Sequence, residues 1–79
     1  MNVKQIQKRA YELTAKSGLR MDIHALKGSK NMYEQDTVIV TACITVDGQV
    51  KRESARIAYI AQLDTVMPII VDKLKEGWL

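Results

Sequence analysis

The sequence is poor in the residues that often stabilise small proteins. Its 79 residues include one cysteine, one proline, one tryptophan, three tyrosines and no phenylalanine. The single cysteine, Cys43, excludes a disulfide within the chain and is typical of a reducing compartment. The core must therefore be aliphatic. With 47% hydrophobic and 27% charged residues, the composition predicts one globular domain over residues 1–79.

Long apolar segments are also missing. The longest apolar run, residues 66–71, contains Pro68 and is far shorter than the roughly 20 residues that a membrane-spanning helix needs. The N-terminal stretch MNVKQIQKRA carries charges without an apolar segment, so we expect no signal peptide. We therefore expect a cytoplasmic protein without membrane contact.

The most strongly patterned segment is residues 36–48, with the sequence DTVIVTACITVDG. Its even-numbered positions from 38 to 46 are all apolar, whereas most odd-numbered positions are polar. Such alternation, in a stretch rich in β-branched residues, predicts a half-buried strand, and Asp47-Gly48 predicts a tight turn after it. We expect the even-numbered face to lie on the core.

The residues before this strand predict a helix, another strand and a loop. Apolar residues at spacings of three and four indicate a helix over residues 2–17, with Asn2 as N-cap and Gly18 just after the last turn. Residues 19–27 alternate and predict a first strand, and residues 27–35 predict a hairpin loop.

After the Asp47-Gly48 turn, residues 49–52 predict a short third strand. A two-residue turn would place Val50 on the outer face of the sheet, whereas a bulge at Gly48 would place it on the core. We prefer the core position, because Val50 is the only apolar residue of this strand.

The C-terminal part predicts a long helix. Ser54 is a suitable N-cap, Gly77 suits the position after the last turn, and Trp78 would pack on that turn. An apolar stripe supports the helix: Ile57, Ile60, Leu63, Met67, Ile70 and Leu74. Pro68 cannot donate to the carbonyl of Asp64, so we expect a helix kinked or broken near Pro68.

The predicted fold class is therefore α+β. The elements follow the order α-β-β-β-α, and a three-stranded antiparallel sheet packs against two helices in a single domain.

Some apolar residues have no evident place in this core. A second apolar line on the last helix holds Ala55, Tyr59, Val66 and Ile69, and Ile39 and Cys43 interrupt the polar sheet face. Scattered exposed apolar residues are common in monomers, but this surplus also fits a protein partner or self-association as a homodimer. The candidate partner-binding residues are Tyr59, Val66, Ile69, Ile39 and Cys43.

No arrangement of catalytic residues or metal ligands stands out. His24 and Cys43 could share the outer sheet face as a nucleophile pair, but neither lies at a helix N-terminus. One histidine and one cysteine do not make a zinc site, and the sequence after Gly28 lacks the helix that a phosphate loop needs. We expect a non-enzymatic protein with no catalytic, metal-binding or cofactor-binding residues and no cofactor.

Nucleic-acid binding is the alternative hypothesis. Residues 1–30 hold seven lysines and arginines against two acids, whereas the rest of the chain holds five against seven. The candidate cations are Lys4, Lys8, Arg9 and Lys16 on the first helix, Lys27 and Lys30 in the loop, and Lys51, Arg52 and Arg56 near the last helix. The order α-β-β-β-α, with KRESAR at the start of the second helix, resembles the double-stranded-RNA-binding domain. That resemblance implies a module that binds duplex nucleic acid by its A-form shape.

The layout also resembles small phage-encoded inhibitor proteins of the anti-CRISPR kind. The likeness lies in the short first helix, the three-stranded sheet with its Asp47-Gly48 turn, and a last helix ending in KEGW. The net charge of +3 departs from the acidic, DNA-mimicking members. The resemblance implies a non-catalytic protein that blocks a partner's surface. We favour such a protein-interaction regulator or inhibitor, because the apolar surplus suits a protein partner better than phosphate.

Overall fold

The computed structural model describes residues 2–76 and confirms the predicted α+β fold. The elements in chain order are α1 (Val3–Thr14), β1 (Asp22–Lys27), β2 (Val38–Val46), β3 (Gln49–Ile57), a 3₁₀ turn (Ile60–Gln62) and α2 (Leu63–Lys75). The strands form one antiparallel sheet in the order β1-β2-β3, so β2 is central and the other two strands are its edges.

Both helices pack on one face of this sheet, which we call the core face. The even-numbered positions of β2 that were predicted to face the core are buried, except Val46, which lies next to the turn and is 38% exposed. α1 packs on β1, α2 packs on β3, and the helices contact each other. The core cluster is Ile6, Ala10, Ile23, Ala25, Val38, Val40, Ala42, Ile44, Ile57, Leu63, Met67, Ile70 and Leu74.

The start of α1 confirms the predicted N-cap. The side-chain oxygen of Asn2 accepts hydrogen bonds from the backbone N–H groups of Lys4 at 2.9 Å and Gln5 at 3.4 Å. The helix ends earlier than predicted, at Thr14, so Gly18 does not lie directly after its last turn. Gly18 does adopt the left-handed backbone, with φ of 78°.

The turn between β2 and β3 shows that the preferred facing of Val50 was wrong. Asp47 and Gly48 both have positive φ, 51° and 80°, as a two-residue type I′ turn requires. Val46 therefore pairs with Gln49, and Thr45 pairs with Val50 on the face away from the helices. Val50 is 55% exposed there, because a two-residue turn leaves no bulge to shift its register.

The boundary between β3 and α2 is also corrected. β3 continues to Ile57, so Ser54 is a strand residue opposite Thr41 and caps no helix. Ala55 and Tyr59, predicted on the helix, lie before it. The chain turns at residues 58–62, where the side-chain oxygen of Gln62 accepts from the N–H groups of Ala58 at 2.6 Å and Tyr59 at 2.9 Å.

Pro68 lies inside α2 without breaking it. The helix runs continuously from Leu63 to Lys75, so the break predicted as one alternative does not occur. The change of helix type falls a turn earlier, where the 3₁₀ turn leads into α2. Gly77 and Trp78, predicted to end this helix, lie outside the described residues.

We predict that Gly48→Ala lowers the free energy of unfolding by about 1 kcal/mol. An alanine pays a steric penalty for the left-handed backbone that Gly48 adopts. Urea denaturation followed by circular dichroism measures the change. Gly48→Asn is the matched control, because asparagine tolerates positive φ and should cost less. Equal losses in both variants would contradict the type I′ turn.

Candidate functional site

The face of the sheet away from the helices, which we call the outer face, is not covered by residues 2–76. Pairing places its side chains in three rows across the strands: Asp22, Cys43 and Arg52; His24, Thr41 and Ser54; Leu26, Ile39 and Arg56. The hydroxyls of Thr41 and Ser54 lie 2.9 Å apart and hydrogen-bond each other. Only the third row holds two apolar side chains, those of Leu26 and the predicted partner residue Ile39, and they lie beside Arg56.

Backbone hydrogen bonding decides which groups each edge strand leaves free. The Gly28 N–H donates to the Thr37 carbonyl at 2.8 Å, so odd-numbered residues of β2 direct their backbone groups toward β1. The even-numbered residues of β2 must then direct their backbone groups toward β3. The two-residue turn requires the same, because Val46 of β2 and Gln49 of β3 form the pair that closes it.

The edge formed by β1 is partly closed. The same alternation points the N–H of Ile23 away from β2, and the hydroxyl of Tyr11 accepts its hydrogen bond at 3.0 Å. Tyr11 lies on α1, which packs on β1. The helix thus satisfies one of the backbone groups at which a further strand would have to pair.

The edge formed by β3 is open. The alternation directs four backbone units away from β2, those of Val50, Arg52, Ser54 and Arg56; we call these units the β3 edge. Within residues 2–76, none of them has a hydrogen bond to backbone or to a side chain outside the sheet pairing. With nine residues, β3 is also longer than β1, which has six, and so offers the longer template for an added strand.

A mostly apolar groove lies beside the β3 edge, on the core side. It has a volume of about 110 Å³, and we call it the β3–α2 groove. Its lining comes from β3 and α2: Glu53, Ser54, Ala55, Val66, Ile69, Ile70 and Lys73. Ile69 is 51% exposed at this groove, although isoleucine is usually buried.

The structure brings together only two of the five predicted partner residues. Val66 and Ile69 line the β3–α2 groove. Tyr59 lines a wider opening of about 410 Å³ near the start of α1, where its hydroxyl accepts from the Gln35 side chain. Ile39 and Cys43 lie on the outer face. The prediction missed the β3 edge, although the end of the strand carries a signal for it, since Ala55 and Ile57 alternate with the polar Ser54 and Arg56.

The nine predicted cations do not form one surface. The segment KRESAR, predicted beside a helix N-terminus, lies within β3, so that prediction is wrong. Arg52 and Arg56 point to the outer face, whereas Lys4 and Lys8 lie on α1, on the other side of the sheet, and Lys16 lies just after that helix. Lys27 ends β1, and Lys30 lies in the following loop.

Two of these cations are held by contacts within the fold. Lys51 donates from Nζ to the carbonyls of Lys73 at 2.8 Å and Glu76 at 2.6 Å, at the C-terminus of α2. Arg9 joins the helices through an ion pair of 2.7 Å with Asp64. The hydrogen bond to Asp64 raises the pKa of the Arg9 guanidinium.

His24 and Cys43 are diagonal neighbours on the outer face. His24 pairs with Thr41, and Cys43 pairs with Asp22. Diagonal positions are about 7–8 Å apart, and in the described part of the chain no hydrogen bond joins the His24 and Cys43 side chains. Among residues 2–76, no group of three or more His, Cys, Asp or Glu side chains could hold a metal ion.

Comparison with protein-family models finds no match, and neither do comparisons with curated proteins and with solved structures. In the part of the chain that the structure describes, no helix has the length and apolar character needed to cross a membrane. The β3 edge and the β3–α2 groove are therefore the features of the fold that bear on its function.

We predict that amide hydrogen exchange alternates along β3. The amides of Arg52, Ser54 and Arg56 should exchange at least about tenfold faster than those of Lys51, Glu53 and Ala55, because only the second set bonds to β2. Exchange measured by NMR gives the rates. In Tyr11→Phe, the Ile23 amide should lose protection while β3 stays unchanged. Uniform protection along β3 would contradict an open edge.

We also predict that Lys51→Met lowers the free energy of unfolding by about 1 kcal/mol. The variant keeps the length of the side chain but loses the charged donor at the C-terminus of α2. Urea denaturation measures this loss. Arg52→Met is the matched control, since Arg52 makes no such contact within residues 2–76, and should change stability by less than about 0.5 kcal/mol. Equal effects of the two variants would show that Lys51 does not hold the helix end.

Proposed function

We propose that this chain is a non-catalytic protein-binding module that acts as a regulator or inhibitor of its partner. The open β3 edge beside an apolar groove carries the proposal. In this mode, called β-augmentation, an extended segment of the partner adds to β3 as a fourth strand. Its main chain bonds to the β3 edge, and alternate side chains enter the β3–α2 groove. A partner segment held in this way is masked from other contacts.

Two features support this mode over binding through the outer face alone. The four outward-facing backbone units offer hydrogen bonds at a regular spacing, which an extended chain satisfies with no rearrangement of the fold. The half-buried side chain of Val66 and the exposed side chain of Ile69 lie where the added strand would direct every second residue. We place the activity in the cytoplasm, in keeping with the free thiol of Cys43.

Selection from a display library of short random peptides tests the proposal. We expect selected peptides to bind with their backbones along β3, and NMR should then show new protection of the Arg52, Ser54 and Arg56 amides. This readout reports strand addition whatever the sequence of the peptide.

Ile69→Lys should weaken the selected peptides about tenfold, because it places a charge in the apolar groove. The matched control is Ile60→Lys, since Ile60 is 43% exposed and lies outside the groove. A thermal melt of each variant shows whether the fold is retained. Peptides that leave the β3 amides unprotected, or that bind Ile69→Lys as well as the unmodified chain, would overturn the proposal.

A further inference from the structure

We infer that the segment bound at the β3 edge is acidic, with carboxylates opposite Arg52 and Arg56 and apolar residues between them. This inference rests on the proposed strand addition and specifies its ligand. An added strand would present outer-face residues opposite Arg52, Ser54 and Arg56, and core-side residues opposite Glu53 and Ala55. The matching pattern is acidic, apolar, polar, apolar, acidic.

The two arginines carry the charge argument. Both lie on the β3 edge with their side chains on the outer face, four residues apart on the same strand. Within residues 2–76, neither has a carboxylate within ion-pair distance, because Arg9 makes the only ion pairs there. Opposite charges directly across a strand pair stabilise a sheet, and a partner strand with two carboxylates at this spacing would meet both arginines at once.

The core side of the same strand selects apolar residues. The side chain opposite Ala55 would lie against Val66 and Ile69 of the β3–α2 groove. Glu53 and Lys73 line the groove as well and offset each other in charge. Because aliphatic side chains dominate the lining of the groove, it favours apolar side chains of the partner.

The same charges disfavour a second copy of this chain as the occupant. In a symmetric antiparallel pair of β3 strands, centring the pair on Arg52 sets Arg52 against its own copy. Centring it on Glu53 sets two glutamates together, and centring it on Ser54 sets Arg52 against Arg56 twice. These three registers pair at least seven of the nine β3 residues, and each places like charges directly opposite one another, which destabilises the pairing.

Nucleic acid fits the site less well than an acidic segment. Phosphates could contact Arg52 and Arg56, but the outward-facing carbonyls of the β3 edge and the apolar groove would have no partner on a duplex. The α1 lysines lie on the other side of the sheet and cannot contribute to the same footprint. We therefore argue for a protein segment and keep duplex RNA as a competitor in the test.

Three peptides test the inference: TEVTVET, TQVTVQT and TKVTVKT, each acetylated and amidated. Each reads the same in both directions, so parallel and antiparallel addition both place the charged residues opposite the arginines. Fluorescence anisotropy should show the acidic peptide binding about tenfold more tightly than the neutral one, and the basic peptide binding least. Raising the salt from about 50 mM to about 500 mM should remove most of this preference.

Variants of both arginines separate charge recognition from a structural role. Arg52→Gln and Arg56→Gln should each weaken TEVTVET about threefold, and together about tenfold, while the neutral peptide is unaffected. The double variant Arg52→Glu/Arg56→Glu should reverse the order and prefer TKVTVKT. A structural defect would weaken the binding of all three peptides and would not produce this reversed preference for TKVTVKT. Lys16→Gln, just after α1, is the control for lowered net charge and should leave all three affinities unchanged.

The outcomes distinguish this inference from the proposed function. Protection of the β3 amides by TEVTVET and TQVTVQT with equal affinity would overturn the acidic preference and leave strand addition standing. Absence of β3 protection with all peptides, including those from the library, would overturn both. Sedimentation showing a dimer that TEVTVET dissociates would assign the edge to a second copy. Duplex RNA that displaces TEVTVET through the same arginines would assign it to nucleic acid. Either result would overturn the inference.

Discussion

The position of β2 between two strands is the constraint on which the rest of the structure depends. Its even-numbered side chains from Val38 to Ile44 form the centre of the sheet's part of the core, and a slip of one residue would turn that whole set toward solvent. Once the register is set, each residue of β2 directs its backbone to one neighbour, even-numbered residues to β3 and odd-numbered residues to β1. The same rule assigns the outward-facing units of β3. The burial of alternate β2 residues therefore fixes two things. It sets which side chains form the core, and through the same register it sets which backbone groups of β3 point outward.

The two edges of the sheet differ in how far the helices satisfy their backbone groups. At β1, the Tyr11 hydroxyl from α1 occupies the N–H of Ile23, so the helix that fills the core also satisfies part of this edge. At β3, α2 lies over the core face but leaves a groove beside the strand. Charged residues rather than hydrogen bonds distinguish this second edge, and such charges are a common protection against edge-to-edge aggregation. In the proposed strand addition, Arg52 and Arg56 select an acidic partner, and in two of the three self-pairing registers they would face arginines of the second copy.

Most of the fold could be predicted from the sequence, because its strongest patterns belong to the elements that bury the most. The alternation of residues 38–46 and the helical spacing of α1 each allow one interpretation. Residues 55–63 allow two interpretations. Ala55 and Ile57 have the spacing of a strand, whereas Ile57, Ile60 and Leu63 have the spacing of a helix. Local spacing cannot separate these alternatives, but pairing does, since Ile57 lies opposite Val38 at the far end of a hairpin whose two strands have nine residues each.

The candidate site was harder to predict for the same reason. Val66 and Ile69 were recognisable as surplus apolar residues, but their neighbours in the groove come from β3, and Ser54 and Ala55 were assigned to a helix. Placing Ser54 in a strand changes Arg52 and Arg56 from a helix-end cluster into an evenly spaced row on an edge. Their chemistry is unchanged, yet the class of ligand that they suit moves from phosphate to an extended acidic chain.

Strand addition at this edge must also overcome the entropy of ordering the partner. Fixing each residue of an extended segment costs about 1–2 kcal/mol, whereas a main-chain hydrogen bond contributes about 1 kcal/mol net. The bonds along β3 therefore roughly cancel the ordering cost and leave little affinity for an arbitrary chain. Binding then depends on the apolar contacts at Val66 and Ile69 and on the charges at Arg52 and Arg56. An edge of this kind stays selective although its backbone groups are open. Any extended chain could make the backbone hydrogen bonds, but these bonds alone do not give enough affinity to bind it.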